Sequence, residues 1–155
     1  MSTQSNLSIL NNAESESIFV TMRIDKQLLG IDVKYVRDVL RGQNITAIPL
    51  APSDVAGSLN SRGRIVTVID VRKRLGLPPA QEEQARNTFV VVDVKGELYS
   101  LLVDNVGDVL TVSTSAIDPS PANLTNTWKG IAAGIYKLEG ELLVLIDIHG
   151  FLRLS

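Results

Sequence analysis

The sequence predicts an all-β protein built as two similar five-stranded barrels packed together, and three observations lead there. Hydrophobic residues make up 45% of the chain but aromatics only 5%, so the interior must come from Val, Ile and Leu, and β-branching favours strands. Short stretches alternate with a period of two, as where Ile18, Val20, Met22 and Ile24 are set against Phe19, Thr21 and Arg23. A weak repeat also runs through the chain. Asp38-Val39-Leu40 recurs 70 positions later as Asp108-Val109-Leu110, with Val36 matching Val106 and Pro49 matching Pro119. Val68-Ile69-Asp70-Val71 recurs 77 positions later as Leu145-Ile146-Asp147-Ile148.

The elements follow in order. Met1 to Ser17 is rich in Ser, Asn and Glu and reads as a flexible tail. Ile18 to Ile24 is the first strand, and Asp25 and Lys26 turn it into Gln27 to Ile31. Asp32 then caps a helical turn with Val33, Val36 and Leu40 on one face, before a strand from Asn44 to Pro49. Pro49 and Pro52 mark a loop into the most informative stretch, Gly57 to Leu77. It opens with a polar turn, Asn60 to Gly63, that holds up Arg62. Strand Ile65 to Ile69 follows. Asp70 then caps a short helix, Val71 to Leu75, which Gly76 and Pro78 end.

Pro78 to Asn87 has two prolines and no apolar periodicity, so it reads as an exposed connection. It divides one domain, residues 18–152, into barrel subdomains of about 18–85 and 86–152. The second half begins with strands Thr88 to Val94 and Glu97 to Val103 around Lys95 and Gly96, a hairpin like the first. Strands Leu110 to Ser113, Ile131 to Lys137 and Glu141 to Ile146 complete it, the last two joined at Glu139 and Gly140. Closing each set into a barrel removes the exposed edges an open sheet would leave.

Composition and motifs exclude several functions. A net charge of −2 gives no field for polyanions. With no cysteine there is neither disulfide nor thiolate chemistry, which fits a reducing compartment. The start lacks a signal peptide and no apolar run approaches the ~18 residues of a membrane span, so the expectation is a cytoplasmic chain with no direct membrane insertion. On that expectation the glycosylation triplets at Asn6, Asn44 and Asn123 are chance.

No catalytic residue, cofactor or metal is expected. His149 is the single histidine and has no Cys or second His to complete a metal site. Asp70 and Asp147 occupy the same place in the repeat, which favours helix capping over paired acid and base work. The glycines around Arg62 lack the Lys-Ser/Thr ending of a phosphate loop and precede a strand, no serine nucleophile elbow occurs, and the Gly130 and Gly134 spacing lies in a strand-like segment. The basic set Arg62, Arg64, Arg72, Lys73 and Arg74 raises an alternative, a small β-barrel module that binds nucleic acid. It lacks the aromatic platforms of that mode, and a solvated helix face explains it more simply. Trp128 suits either a core cover or a protein contact.

The pieces Gly30-Ile31-Asp32-Val33 with Val36, Ile48-Pro49, Gly57-Ser58-Leu59-Asn60-Ser61-Arg62-Gly63, Val68-Ile69-Asp70-Val71-Arg72 and Leu75-Gly76-Leu77-Pro78 together resemble the CheW family of chemotaxis coupling proteins. The resemblance spans about Ile18 to Leu152. It implies SH3-like barrels and an adaptor without catalysis. The implied partners are the regulatory domain of a CheA-type histidine kinase and the membrane-distal, cytoplasmic tip of methyl-accepting chemoreceptors, with recruitment to receptor arrays. Matching positions imply that Val36, Asp38, Gly57 and Arg62, with Asn60 and Gly63 of the turn, form the receptor and kinase contact surface. Asp38 stands where the family often has Glu. On physical grounds Arg62 is either an interface anchor or a fork donor that holds the turn by bonding carbonyls. The turn finds only a loose counterpart, at Lys129 to Ala133, so function is expected at this non-repeated part.

Overall fold

Residues 15–80, 88–119 and 128–153 are described by the structure, a computed structural model. Their strands are β1 (Glu16–Ile24), β2 (Gln27–Asp32), β3 (Val36–Arg41), β4 (Val55–Ser61), β5 (Arg64–Asp70), β6 (Thr88–Val94), β7 (Glu97–Val103), β8 (Asn105–Ser113), β9 (Ala132–Leu138) and β10 (Glu141–Ile146). Two short helices, α1 (Val71–Arg74) and α2 (Ile148–Phe151), follow β5 and β10. The strands form two five-stranded sheets, ordered β8-β1-β2-β10-β9 and β3-β6-β7-β5-β4. The fold is all-β and SH3-like, but neither ladder closes on itself. In each sheet an isolated bridge instead ties a loop to an edge strand, Thr46 to Ser58 on β4 and Asp118 to Ile135 on β9.

The division near residue 85 does not separate the sheets. The first sheet takes β1 and β2 from the N-terminal half, and the second takes β6 and β7 from the C-terminal half. Each half thus gives its opening hairpin to the other, and each hairpin joins its host sheet along one antiparallel seam, β1 to β8 or β6 to β3, and one parallel seam: Leu28 to Gly30 of β2 run beside Leu143 to Leu145 of β10, and Thr67 to Asp70 of β5 beside Tyr99 to Leu102 of β7. The exchange explains the core. Phe19, Leu28 and Leu143 fill one sheet, Leu59, Val66 and Phe89 fill the other, and a larger shared cluster lies between them. In β1, Val20, Met22 and Ile24 enter the shared cluster, while Phe19 faces the interior of its own sheet. Both faces of the strand are therefore buried, and Ile18 is left 42% exposed.

Several expected elements differ. β1 already pairs at Glu16, opposite Ser113, so the ordered chain begins before Ile18; the rest of the expected tail, residues 1–14, lies outside the described residues, as do residues 81–87 of the connection and the triplets at Asn6 and Asn123. The helical turn after Asp32 is a single 3-10 turn, Val33–Tyr35, whose Lys34 amide donates to the Asp32 carboxylate. From Val36 the chain is strand, with Val36, Asp38 and Leu40 each half-buried; the register shift after Val36 turns Val36 toward the shared cluster and Leu40 toward the interior of its own sheet. Asn44 to Pro49 forms no strand and contributes only the Thr46 bridge. The polar residues Gly57 to Ser61 belong instead to β4.

A buried ion pair crosses between the sheets. Arg72, 8% exposed, donates to Asp104 through Nε (3.0 Å) and Nη2 (2.5 Å) and to the Pro78 carbonyl through Nη1 (2.8 Å). Asp104 also accepts from the amide of Asp25 in the β1–β2 turn (2.7 Å). Hydrogen bonding to Asp104 raises the Arg72 pKa, so the guanidinium stays charged.

Candidate functional site

The expected site is built on the hairpin between β4 and β5. Asn60 pairs with Ile65 and Ser61 with Arg64, leaving Arg62 and Gly63 as a two-residue turn. Both have positive φ, 53° and 81°, as the type I′ turn of a tight hairpin requires. Asn60 holds this turn, its Oδ1 accepting from the Gly63 amide at 3.0 Å. Arg62 is thereby free of that task. Its Nη2 lies 3.2 Å from Oδ2 of Asp38, and its side chain remains 83% exposed.

Asp38 reaches this position because β3 bulges. Val36 pairs with Val92 and Asp38 with Val91, so Arg37 is the extra residue on the edge strand. The bulge sets Arg37, Asp38, Arg62, Arg64 and Asp93 around one shallow depression of about 300 Å³. Arg37 pairs with Asp93 at 3.6 Å, and Arg64 donates to the Gly96 carbonyl at 3.3 Å. Exposed apolar side chains border it in sequence and register, Val39 at 39% and Ile65 at 79%. The sequence carried no signal that joined Arg37 and Asp93 to Arg62, because residues 33–40 read as a helical turn and Asp93 lies in the other half of the chain.

The other expected site residues are placed differently. Val36 is half-buried and packs on the shared core. Gly57 is buried in β4 with φ 149°, and a Cβ there would lie 2.3 Å from the Thr46 carbonyl oxygen. Its 77-position counterpart, Gly134, has the same relation to the Ile117–Asp118 segment. Gly57 therefore belongs to the shared scaffold, where it admits the bridging loop, and presents no surface. Asp70 accepts from the Lys73 amide at 3.2 Å and caps α1. Asp147 stands at the matching position of α2 but makes no side-chain cap bond.

The basic set does not form one face. Arg72 is buried against Asp104, and Arg74 donates to the carbonyls of Phe151 (2.9 Å) and Gly150 (3.2 Å). This removes the solvated helix face expected from sequence and parts these residues from Arg62. Trp128 is half-buried against the shared core, and exposed His149 meets the Tyr35 ring edge-on at 6.0 Å.

The turn does have a counterpart, and it is not Lys129 to Ala133. At 77 positions' distance Arg62-Gly63-Arg64 becomes Glu139-Gly140-Glu141, the β9–β10 turn, and Asp93 matches Arg23 at 70. Charge is reversed at each of these three pairs, while Asp38 and its counterpart Asp108 keep theirs. Arg23 and Glu141 form a two-bond ion pair (3.1 and 3.2 Å) beside a second depression, of about 320 Å³. The hydrogen bonds from Arg23 hold the Glu141 carboxyl below its ordinary pKa. Three arginines against two aspartates leave the first depression at +1; one arginine against Asp108 and Glu141 leaves the second at −1.

Fold and site define a class: an SH3-like β module whose distinctive surface is an exposed charged hairpin. A family model, the CheW-like domain, matches residues 19–155, and the chain belongs to that family. It is 32% identical over 140 residues to a probable chemotaxis protein CheW of Rhizobium etli, covering 90% of this chain and 88% of that one. A chemotaxis protein CheW of Rhizobium meliloti is 32% identical over 129 residues, 83% of each chain. Among solved structures, the scaffolding protein TtCheW of Thermoanaerobacter tengcongensis superposes with a TM-score of 0.81 at 27% identity, covering 90% of this chain and 94% of that one. No helix among the described residues is long and apolar enough to cross a membrane, which says nothing of β-barrel insertion.

Proposed function

We propose that this chain is a cytoplasmic, non-catalytic adaptor that couples methyl-accepting chemoreceptors to the regulatory domain of a CheA-type histidine kinase, recruited by them to receptor arrays. Family membership supports a chemotaxis scaffold. The single observation that carries the finer reading is Arg62, raised on a rigid turn, 83% exposed and paired with Asp38 on a bulged edge strand. An arginine beside exposed apolar side chains is the composition of an interface anchor, where truncation costs about 2 kcal/mol or more. The reversed charges at Glu139, Glu141 and Arg23 support a second, different partner, because complementary charge selects partners and sets their approach. The nucleic-acid alternative has no such support, since Arg72 and Arg74 are diverted into the interior and to carbonyls. Arg62→Asn is expected to weaken capture of receptor tip or kinase domain on affinity resin at least tenfold. Unchanged capture of both would remove Arg62 from the contact surface.

A further inference from the structure

A separate cleft lies elsewhere and shares no lining residue with the Arg62 depression. It measures about 450 Å³ and opens between the end of α1, the turn at Trp128–Gly130 and the end of α2. Lys73, Arg74, Lys129 and Arg153 line it, and among the described residues no acidic one does. Four cations thus converge on a chain whose net charge is −2. The ion pairs among the described residues involve none of them. Arg74 is fixed in the wall by its bonds to the Gly150 and Phe151 carbonyls, which are neutral and leave its charge uncompensated.

Cations near helix C-termini also serve the orphan carbonyls there, and Arg74 does so. That role does not extend to Lys73, Lys129 and Arg153, whose side chains are exposed and make no hydrogen bond among the described residues.

We propose that this cleft binds a small multivalent anion of the oligophosphate class. The volume lies in the range of small-ligand sites, about 300–1,000 Å³. Lys and Arg together meet phosphate oxygens by charge-assisted bonds, and Gly130 leaves open space where a side chain would stand, while its carbonyl packs into the place a Gly150 Cβ would take and draws the turn against α2. The one large apolar lining residue, Ile131, is only 2% exposed, so a protein segment would find no apolar anchor. Among the described residues no aromatic one lines the cleft, so a base would find no stacking platform there. The inference goes beyond the adaptor role and does not rest on it. The fold assembles the site from three distant stretches, 73–76, 129–131 and 150–153.

Trp128, the sole tryptophan, precedes Lys129 and provides a probe. The whole chain is titrated with sodium tripolyphosphate at constant ionic strength, read by tryptophan fluorescence and in parallel by calorimetry, so that a silent tryptophan does not hide binding. Saturable binding is expected, at least tenfold tighter than for inorganic phosphate. It should be lost in the Lys129→Glu/Arg153→Glu double variant and kept in Lys95→Glu, a charge change in the β6–β7 turn outside the cleft, with circular dichroism establishing that both variants fold. No saturable binding, equal binding by the double variant, or equal loss in Lys95→Glu would overturn the proposal. Tighter binding of a single-stranded oligonucleotide than of tripolyphosphate would overturn it in favour of nucleic acid.

Discussion

Arg62 occupies backbone that Asn or Gly adopts more readily. Its φ of 53° is left-handed, a conformation that costs a non-glycine residue on the order of 1 kcal/mol, and the first central position of a type I′ turn favours Asn or Gly. The turn does not need the guanidinium, because Asn60 already bonds the Gly63 amide and Arg62 meets no carbonyl among the described residues. The reading of Arg62 as a turn-holding donor therefore fails, and its side chain is left to act outward. Its pair with Asp38 adds little, since exposed ion pairs contribute about 0–1 kcal/mol. Arg62→Asn should melt at the same temperature or higher while losing partner capture. A loss of more than about 1 kcal/mol in thermal unfolding, in place of that gain, would make Arg62 structural after all.

At the scale of elements, Gly57 shows how a position can matter without touching a partner. A Cβ on Gly57 would stand 2.3 Å from a backbone oxygen that cannot swing away, at φ 149°. The Gly134 counterpart would first meet the Ile117 Cγ2 atom, at 2.7 Å. Gly57→Ala should cost more than about 2 kcal/mol in urea unfolding, in the upper part of the ordinary range for a single substitution, and Gly134→Ala should cost less. Full stability in Gly57→Ala combined with lost partner binding would instead return Gly57 to the contact surface. β1 was legible in the sequence by its alternation, and β2, β5 to β7, β9, β10 and the end of β8 by apolar runs bounded by turn residues. β4 was not, because Gly57, Ser58, Asn60 and Ser61 are weak strand formers whose pairing comes from β5 and the Thr46 bridge. The Val33, Val36 and Leu40 spacing imitated a helix because the chain makes one 3-10 turn and then a bulged strand, which leaves polar Asp38 half-buried. The charge reversal at Glu139 hid the counterpart of the Arg62 turn.

At the scale of the whole molecule, the repeat foretold two like sheets but not the exchange between them. Two similar hairpins satisfy either sheet's edge equally well in sequence, so only the observed seams, parallel from β2 to β10 and from β5 to β7 and antiparallel from β1 to β8 and from β3 to β6, reveal which belongs where. The Arg72, Asp104 and Asp25 network lies across that exchange. Arg72→Met should cost about 3–5 kcal/mol by leaving Asp104 buried and unpaired, while Arg72→Met/Asp104→Leu should recover most of it, because a buried pair replaced by apolar residues is often neutral. Equal losses in the two variants, measured by urea unfolding, would mean that the network's geometry matters beyond its charge. The exchange also bears on the proposed function, for it joins the strands that carry the Arg62 turn to those that carry the charge-reversed turn at Glu141, as the proposed two-partner role requires. The most direct measurement is recruitment of a CheA-type regulatory domain to immobilised receptor tips. The account predicts that the kinase domain is retained only when this chain is added, and that Arg62→Asn abolishes retention; release of one partner on addition of the other, or retention undiminished by Arg62→Asn, would contradict it.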